Sequence, residues 1–191
     1  MINLDVHADF RQIDRQLLHL TSNLRDRVVA AALNKAADKA KVEMKRQNTS
    51  EFAIKASDVG AQISVRKATA KGAQLIAEIQ AFPRRRGRRS RNVALFRARQ
   101  TARGVTVQIK RSGGRKLIPH AWIGNGGKTA FWRGDRGTAK ARKPIFGVET
   151  IDVPQMFNTK KLNKAVVAKI ARDLPVEVER AVRAALARGW K

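Results

Sequence analysis

From residue 79 to residue 134 the chain has no acidic residue, and 13 arginines and lysines crowd into residues 84–116 of that gap. They begin with Arg84, Arg85, Arg86, Arg88, Arg89 and Arg91 and continue through Arg97, Arg99, Arg103, Lys110, Arg111, Arg115 and Lys116. A segment so charged repels itself and cannot supply a core; it is either solvated or neutralised by something polyanionic. The core must therefore come from what flanks it. The whole chain carries 41 basic and 15 acidic residues, a net charge of +26, and half of that excess lies in this one stretch. Residues 1–51, by contrast, hold nine basic and seven acidic residues, and residues 155–191 hold nine and three. A basic insert sits between two ordinary amphipathic ends.

With 191 residues, 43% of them hydrophobic, one domain spanning 1–191 with a real core is expected. Cysteine is absent, which excludes disulfide scaffolds, thiolate metal sites and thiol nucleophiles. The opening Met1-Ile2-Asn3-Leu4-Asp5-Val6 has no positive n-region, and no stretch reaches the ~18 apolar residues of a membrane span, so neither leader nor membrane contact is expected.

Apolar residues at Phe10, Ile13, Leu17, Leu20, Leu24, Val28, Ala32 and Ala36 predict a helical region over 8–47. Thr21-Ser22-Asn23 would divide it into a pair, with an alanine-rich second helix from about residue 22. Its small side chains suit close helix approach, within the fold or between subunits. Residues 62–153 read as strand-rich: 63–65 and 75–79 as a hairpin around Lys71-Gly72, 105–109 as a half-buried strand, then 117–123, 129–132 and 144–151. Ser57-Asp58 reads as the cap of a short helical turn, and Gly124-Asn125-Gly126-Gly127 as a hairpin turn. Residues 84–103 are expected as a long basic loop and 133–143 as a polar one. In the last segment, 159–189, Leu162, Val166, Ile170, Leu174, Val178, Val182, Leu186 and Trp190 recur every fourth residue. Each such step drifts by about 40° around an ideal helix, and Pro175 predicts a break into two helices. The expected fold class is α+β: an antiparallel sheet packed against an N-terminal helix pair and a kinked C-terminal helix.

Candidate sites of chemistry dissolve on inspection. Gly124-Asn125-Gly126-Gly127-Lys128-Thr129 ends like a P-loop, but Trp122 stands where the first glycine belongs. Arg133-Gly134-Asp135 is a chance tripeptide. His7, His19 and His120 are isolated, with no second ligand at metal-binding spacing. Asp38 and Glu43 lie on a helix whose charges suit surface pairing rather than a nuclease site. No catalytic, cofactor-binding or metal residues are expected. The basic segment has three readings: a solvated loop, disfavoured because thirteen unrelieved charges are a standing repulsion, a surface for nucleic-acid phosphates, or a face for an acidic protein. Sequence reading is disfavoured because no zinc finger or helix-turn-helix is present. Only Phe96 interleaves the arginines, so a stacking surface for single strands is not expected.

The order of these features resembles the phage minor tail protein Z, or tail-completion, family across most of the chain. The resemblance rests on Ala31-Ala32-Leu33-Asn34-Lys35-Ala36-Ala37, on the arginine block followed by a glycine turn, and on Ile118-Pro119-His120-Ala121-Trp122-Ile123. It extends to Pro144 opening a segment that ends at Val153-Pro154, and to Asp173-Leu174-Pro175-Val176-Glu177-Val178. The Gly124-to-Gly127 turn and the 133–143 loop are local variation. The resemblance implies a non-enzymatic structural protein without cofactors, part of the virion and assembled in the host cytoplasm. It would complete the head-proximal end of the tail, beside the terminator, tail tube and head–tail connector, and support head–tail joining and DNA passage. By fold-level analogy it would work in a homo-oligomeric ring, here expected to be sixfold. In that setting Arg84, Arg85, Arg86, Arg88, Arg89, Arg91, Arg97, Arg99 and Arg103 are the expected contacts, to phage DNA or to an acidic connector surface. The rival class is a free, sequence-nonspecific nucleic-acid-binding protein of histone-like or ribosomal type. The near-neutral residues 1–51 argue against it.

Overall fold

The computed structural model describes residues 21–70, 75–82, 91–133, 144–157 and 160–188. Helix α1 (Ser22–Glu51) and the short α2 (Ala56–Gly60) come first, then strands β1 (Ile63–Arg66) and β2 (Glu78–Ala81). After β3 (Arg91–Asn92) and a 3-10 turn (Val93–Leu95) follow β4 (Arg99–Thr101), β5 (Gly104–Val107) and β6 (Lys116–Pro119). Next are β7 (Trp122–Gly124), β8 (Thr129–Arg133), β9 (Ile145–Gly147) and β10 (Glu149–Thr150), and the chain closes with helices α3 (Val153–Phe157) and α4 (Lys160–Ala187). The class is α+β, as the periodicities predict. Contacts divide the chain into two compact units, one of residues 1–45, 63–82 and 157–191, the other of 46–62 and 83–156.

In the first unit α1 packs on α4. Leu24, Val28, Ala32 and Ala36 form one apolar cluster with Leu174, Val178, Val182 and Ala185. Rows spaced by four residues are the ridges that interdigitate between helices, and Ala32 and Ala36 leave room for the facing backbone. The alanine stripe is thus used within the fold. Lys39 Nζ donates to Glu177 Oε1 at 2.5 Å beside this seam, and Arg180 donates to the same oxygen at 2.8 Å. β1 and β2 pair antiparallel, Ile63 opposite Ala81 and Arg66 opposite Glu78. The Asn34 amide holds the chain after β1, donating to the Ala68 carbonyl and accepting from its N–H.

The expected break at Pro175 does not occur: α4 runs through it. Proline removes one helical hydrogen bond and crowds the preceding turn, at about 3 kcal/mol. Here the residues on either side are held by packing, Leu174 and Val178 in the cluster and Glu177 on Lys39. The four-residue drift is visible further on, where Leu186 is 58% exposed and Ala185 takes the inward position.

Among the described residues the single expected sheet is instead four small ones: β1 with β2, β3 with β10, β4-β5-β6 and β7-β8-β9, all antiparallel. The predicted strand 117–123 is cut because Pro119 ends β6 and His120 takes a left-handed φ of 58°, after which β7 joins another sheet. Residues 144–151 divide likewise, β9 pairing with β8 while Glu149 and Thr150 pair with Asn92 and Arg91. The second unit closes over Val93, Val105, Val107, Ala121 and Ala130. Gly104 is required in it: φ is 143°, and a Cβ there would lie 2.2 Å from the Ile118 carbonyl oxygen. α2 begins at Ala56 behind Lys55, so Ser57 and Asp58 are inside the turn rather than capping it. From residue 91 onward the expected loop 84–103 is β3, a 3-10 turn and β4. The helix expected before residue 21, the Lys71-Gly72 turn, Arg84, Arg85, Arg86, Arg88, Arg89, loop residues 134–143, the Leu162 side chain and Trp190 lie outside the described residues.

Two measurements check the helix seam. Ala32→Leu should overpack it and lower stability by about 1–3 kcal/mol, read as a shift in urea midpoint. The Lys39 hydrogen bond holds the Glu177 carboxyl below its usual 4.5, against the opposing pull of burial. A depressed carboxylate contributes stability that is present above the unfolded value and lost as pH falls through the folded one. Wild-type and Glu177→Gln stabilities should therefore differ at neutral pH and converge as the solution is acidified below 4.5.

Candidate polyanion interface

The described cations of the basic segment fall into three groups. Arg91 is the first, and it corrects the sequence expectation. It is 4% exposed. Its Nε donates to Gln62 Oε1 at 2.5 Å and its Nη2 to the Asp58 carbonyl at 2.7 Å. The Asp152 carboxylate lies 3.6 Å from Nε and the Asp58 carboxylate 4.0 Å from Nη1. A guanidinium so enclosed is not available to DNA or to a partner. Asp152 is 1% exposed and caps α3: its Oδ1 accepts from Val153 N, while Gln155 Oε1 accepts from Asp152 N. Asp152 Oδ2 has no hydrogen-bond donor among the described residues, so the carboxylate relies on Arg91 for compensation. Asn92 extends the anchor, its side chain donating to the Ala130 carbonyl and accepting from the Ala130 and Ala94 N–H groups.

The second group serves the end of α1. Arg111 donates from its backbone N–H to the Glu51 carbonyl and from Nε to the Thr49 carbonyl. A cation at a helix C-terminus also opposes the negative end of the helix dipole. Lys110 is 3.8 Å from the Glu51 carboxylate.

Arg97, Arg99, Arg103, Arg115 and Lys116 form the third group. All five are exposed, and among the described residues none makes an ion pair. Arg115 alone is fixed, its Nη2 donating to the Arg97 carbonyl at 2.6 Å and reaching the Thr106 carbonyl and hydroxyl at 3.3 Å. Carbonyls orient a guanidinium without cancelling its charge.

Aromatic residues follow a pattern the sequence hid. Phe96, the only one among the arginines, is fully buried. Among the described residues the exposed rings are Phe82, just after β2, and Trp132 and Phe146 on β8 and β9, the last two 5.9 Å apart; the Arg133 guanidinium sits 5.6 Å from the Trp122 ring centre. The Gly124-to-Gly127 segment is the β7-β8 hairpin turn, with positive φ at Asn125, Gly126 and Gly127. Asp38 pairs with Lys67 at 3.8 Å on the surface. Asp152 and Gln155 were missed from sequence as a pair, although Asp-Val-Pro-Gln carries capping spacing. Nothing local joins Arg91 to Asp58 or Asp152. No family model, curated protein or solved structure matches this chain.

Removing one partner of a buried ion pair costs about 3–5 kcal/mol, because the other is left uncompensated. Arg91→Ala should therefore lower the urea midpoint strongly. Arg91→Ala with Asp152→Asn, which keeps a capping oxygen, should recover part of the loss. An Arg91→Ala protein as stable as wild type would show that the pair contributes nothing.

Proposed function

We propose that this protein is a non-enzymatic structural component that completes the head-proximal end of a phage tail. It would act as a homo-oligomeric ring, sixfold to match the tube, against the tail tube, terminator and head–tail connector, and present a basic surface to DNA leaving the head or to an acidic connector face. The observation that carries this reading is the segregation of charge. Residues 46–62 and 83–156 hold 21 of the 41 basic residues but only 5 of the 15 acidic ones. Among the described residues, the exposed Arg97, Arg99, Arg103 and Arg115 of this unit lack carboxylates, while the other unit pairs charges along a helix seam. A subunit of this kind has one part given to packing and another to a polyanion. The family resemblance supplies the biological setting.

The same unpaired arginines favour a second reading, a free nucleic-acid-binding protein acting outside any particle. Composition of purified particles separates the two. Under the tail reading, protein mass spectrometry finds the chain in virions and isolated tails. Electron microscopy locates it as mutually contacting copies at the head-proximal end, and deleting its gene leaves filled heads and tails that do not yield infectious phage. Absence from purified particles overturns the tail role, and single copies without mutual contacts overturn the ring.

A further inference from the structure

The tail role does not say which residues meet the polyanion, or whether that polyanion is DNA. We infer that the outer face of the β4-β5-β6 sheet, bearing Arg97, Arg99, Arg103 and Arg115, is a preformed surface for the phosphates of duplex DNA. DNA as the natural polymer leans on the tail reading above; the surface itself does not.

The sheet fixes which way these residues face. Val105 and Val107 are buried in the core of the second unit. Side chains alternate along a strand, so Thr106 stands on the opposite, outward face. Register aligns Arg99, Thr106 and Leu117 in one row across the three strands. Arg115, two residues before Leu117, lies over Thr106, as its hydrogen bonds require. Arg103 is in the β4-β5 turn, whose carbonyl accepts from His120 N at 3.2 Å.

Arg97 has a left-handed φ of 48°, unusual for a side chain with a Cβ. Bonds on both sides hold it there, Arg115 Nη2 to its own carbonyl and Gln108 N to the Phe96 carbonyl at 3.0 Å. The result is an ordered Arg115 guanidinium beside a fixed Arg97 backbone, both settled before any ligand arrives. Pre-ordering reduces the entropy lost on binding.

Two features favour phosphate over an acidic protein. Protein interfaces are centred on buried apolar or aromatic anchors, and the only large apolar side chain on this row is Leu117. Phosphate contacts are made by guanidinium and hydroxyl groups that position the polymer without reading bases, which matches arginine beside Thr101 and Thr106. The row carries no ring on which a base could stack, which favours duplex over single strands. It also offers no helix for the major groove, so binding should ignore sequence.

The test measures affinity of the full chain for a short mixed-sequence duplex DNA, by fluorescence anisotropy, across a salt series. Each phosphate contact contributes about 0.9 to the slope of log affinity against log salt. Arg99→Gln with Arg103→Gln, side chains that hold no fold contact, should lower the slope by about 2 with equal effect on unrelated sequences. Arg99→Lys with Arg103→Lys should retain it. Arg97→Gln with Arg115→Gln should cost at least as much, and a urea midpoint for each variant separates lost binding from lost fold. The comparison protein changes Arg84, Arg85, Arg86, Arg88 and Arg89 to Gln. If that protein alone loses binding while the sheet variants keep the wild-type slope, the surface is wrongly assigned. Displacement of the duplex by polyglutamate at equal charge concentration would overturn phosphate in favour of an acidic protein. Tighter binding to single strands than to duplex would overturn the duplex assignment. Slope loss in the sheet variants, with the chain absent from virions, would overturn the tail role and leave the surface standing.

Discussion

An arginine sealed inside a protein must meet carboxylates or carbonyls on most of its donors. Arg91 does so by drawing together Asp58, Gln62 and Asp152, residues far apart in the chain. Desolvating such a pair costs several kcal/mol per ion, and the attraction between the charges does little more than offset it. The gain is in placement. Helix α2, strand β3 and the cap of α3 are all tied to one guanidinium, and Asn92 beside it binds β8. The chain is thereby fixed at the point where it leaves the run of arginines at 84–89.

The acid-free segment solves its charge problem by borrowing. It contains no carboxylate, so the acids that neutralise part of it come from outside: Asp58 and Asp152 for Arg91, Glu51 for Lys110. Carbonyls serve the others, the end of α1 for Arg111 and the 97 and 106 carbonyls for Arg115. This divides the cations by role. Those met by carboxylate or helix end hold the fold together, and those met by carbonyls alone, or by nothing among the described residues, keep their charge uncancelled.

How far the sequence foretold this depends on distance along the chain. Alternation in Val105-Thr106-Val107 located a strand and its buried face, and the spacing from Leu24 to Ala36 located the packed side of α1, because both signals are local. Sheet membership was hidden, since it turns on single backbone angles such as that of His120. Pro175 misled because packing of Leu174, Val178 and Glu177 overrides a local preference. Arg91 read as one more member of a charge run, and only tertiary structure separates it from its neighbours. The Trp132 and Phe146 pair escaped for a related reason: the two rings lie on separate strands and meet only because β8 pairs with β9.

What remains unpaired sets a condition on assembly. Two unit charges about 10 Å apart in water repel by roughly 0.4 kcal/mol before screening, and physiological salt reduces this further. Four exposed arginines on one sheet are therefore a small burden for a single subunit, which is why the fold tolerates them. In a ring that turned these faces towards its axis, the repelling pairs would multiply faster than the copies, and the low-dielectric walls of a channel would strengthen each pair. If the proposed ring forms with these faces inward, its own charge would disfavour closure until a polyanion lay within it. In the proposed role, DNA in the channel would stabilise the ring by mass action to the extent that it bound the assembled state better than the separate subunits. Under the proposed role, the excess charge thus couples completion of the tail to the presence of the polymer that the tail must conduct.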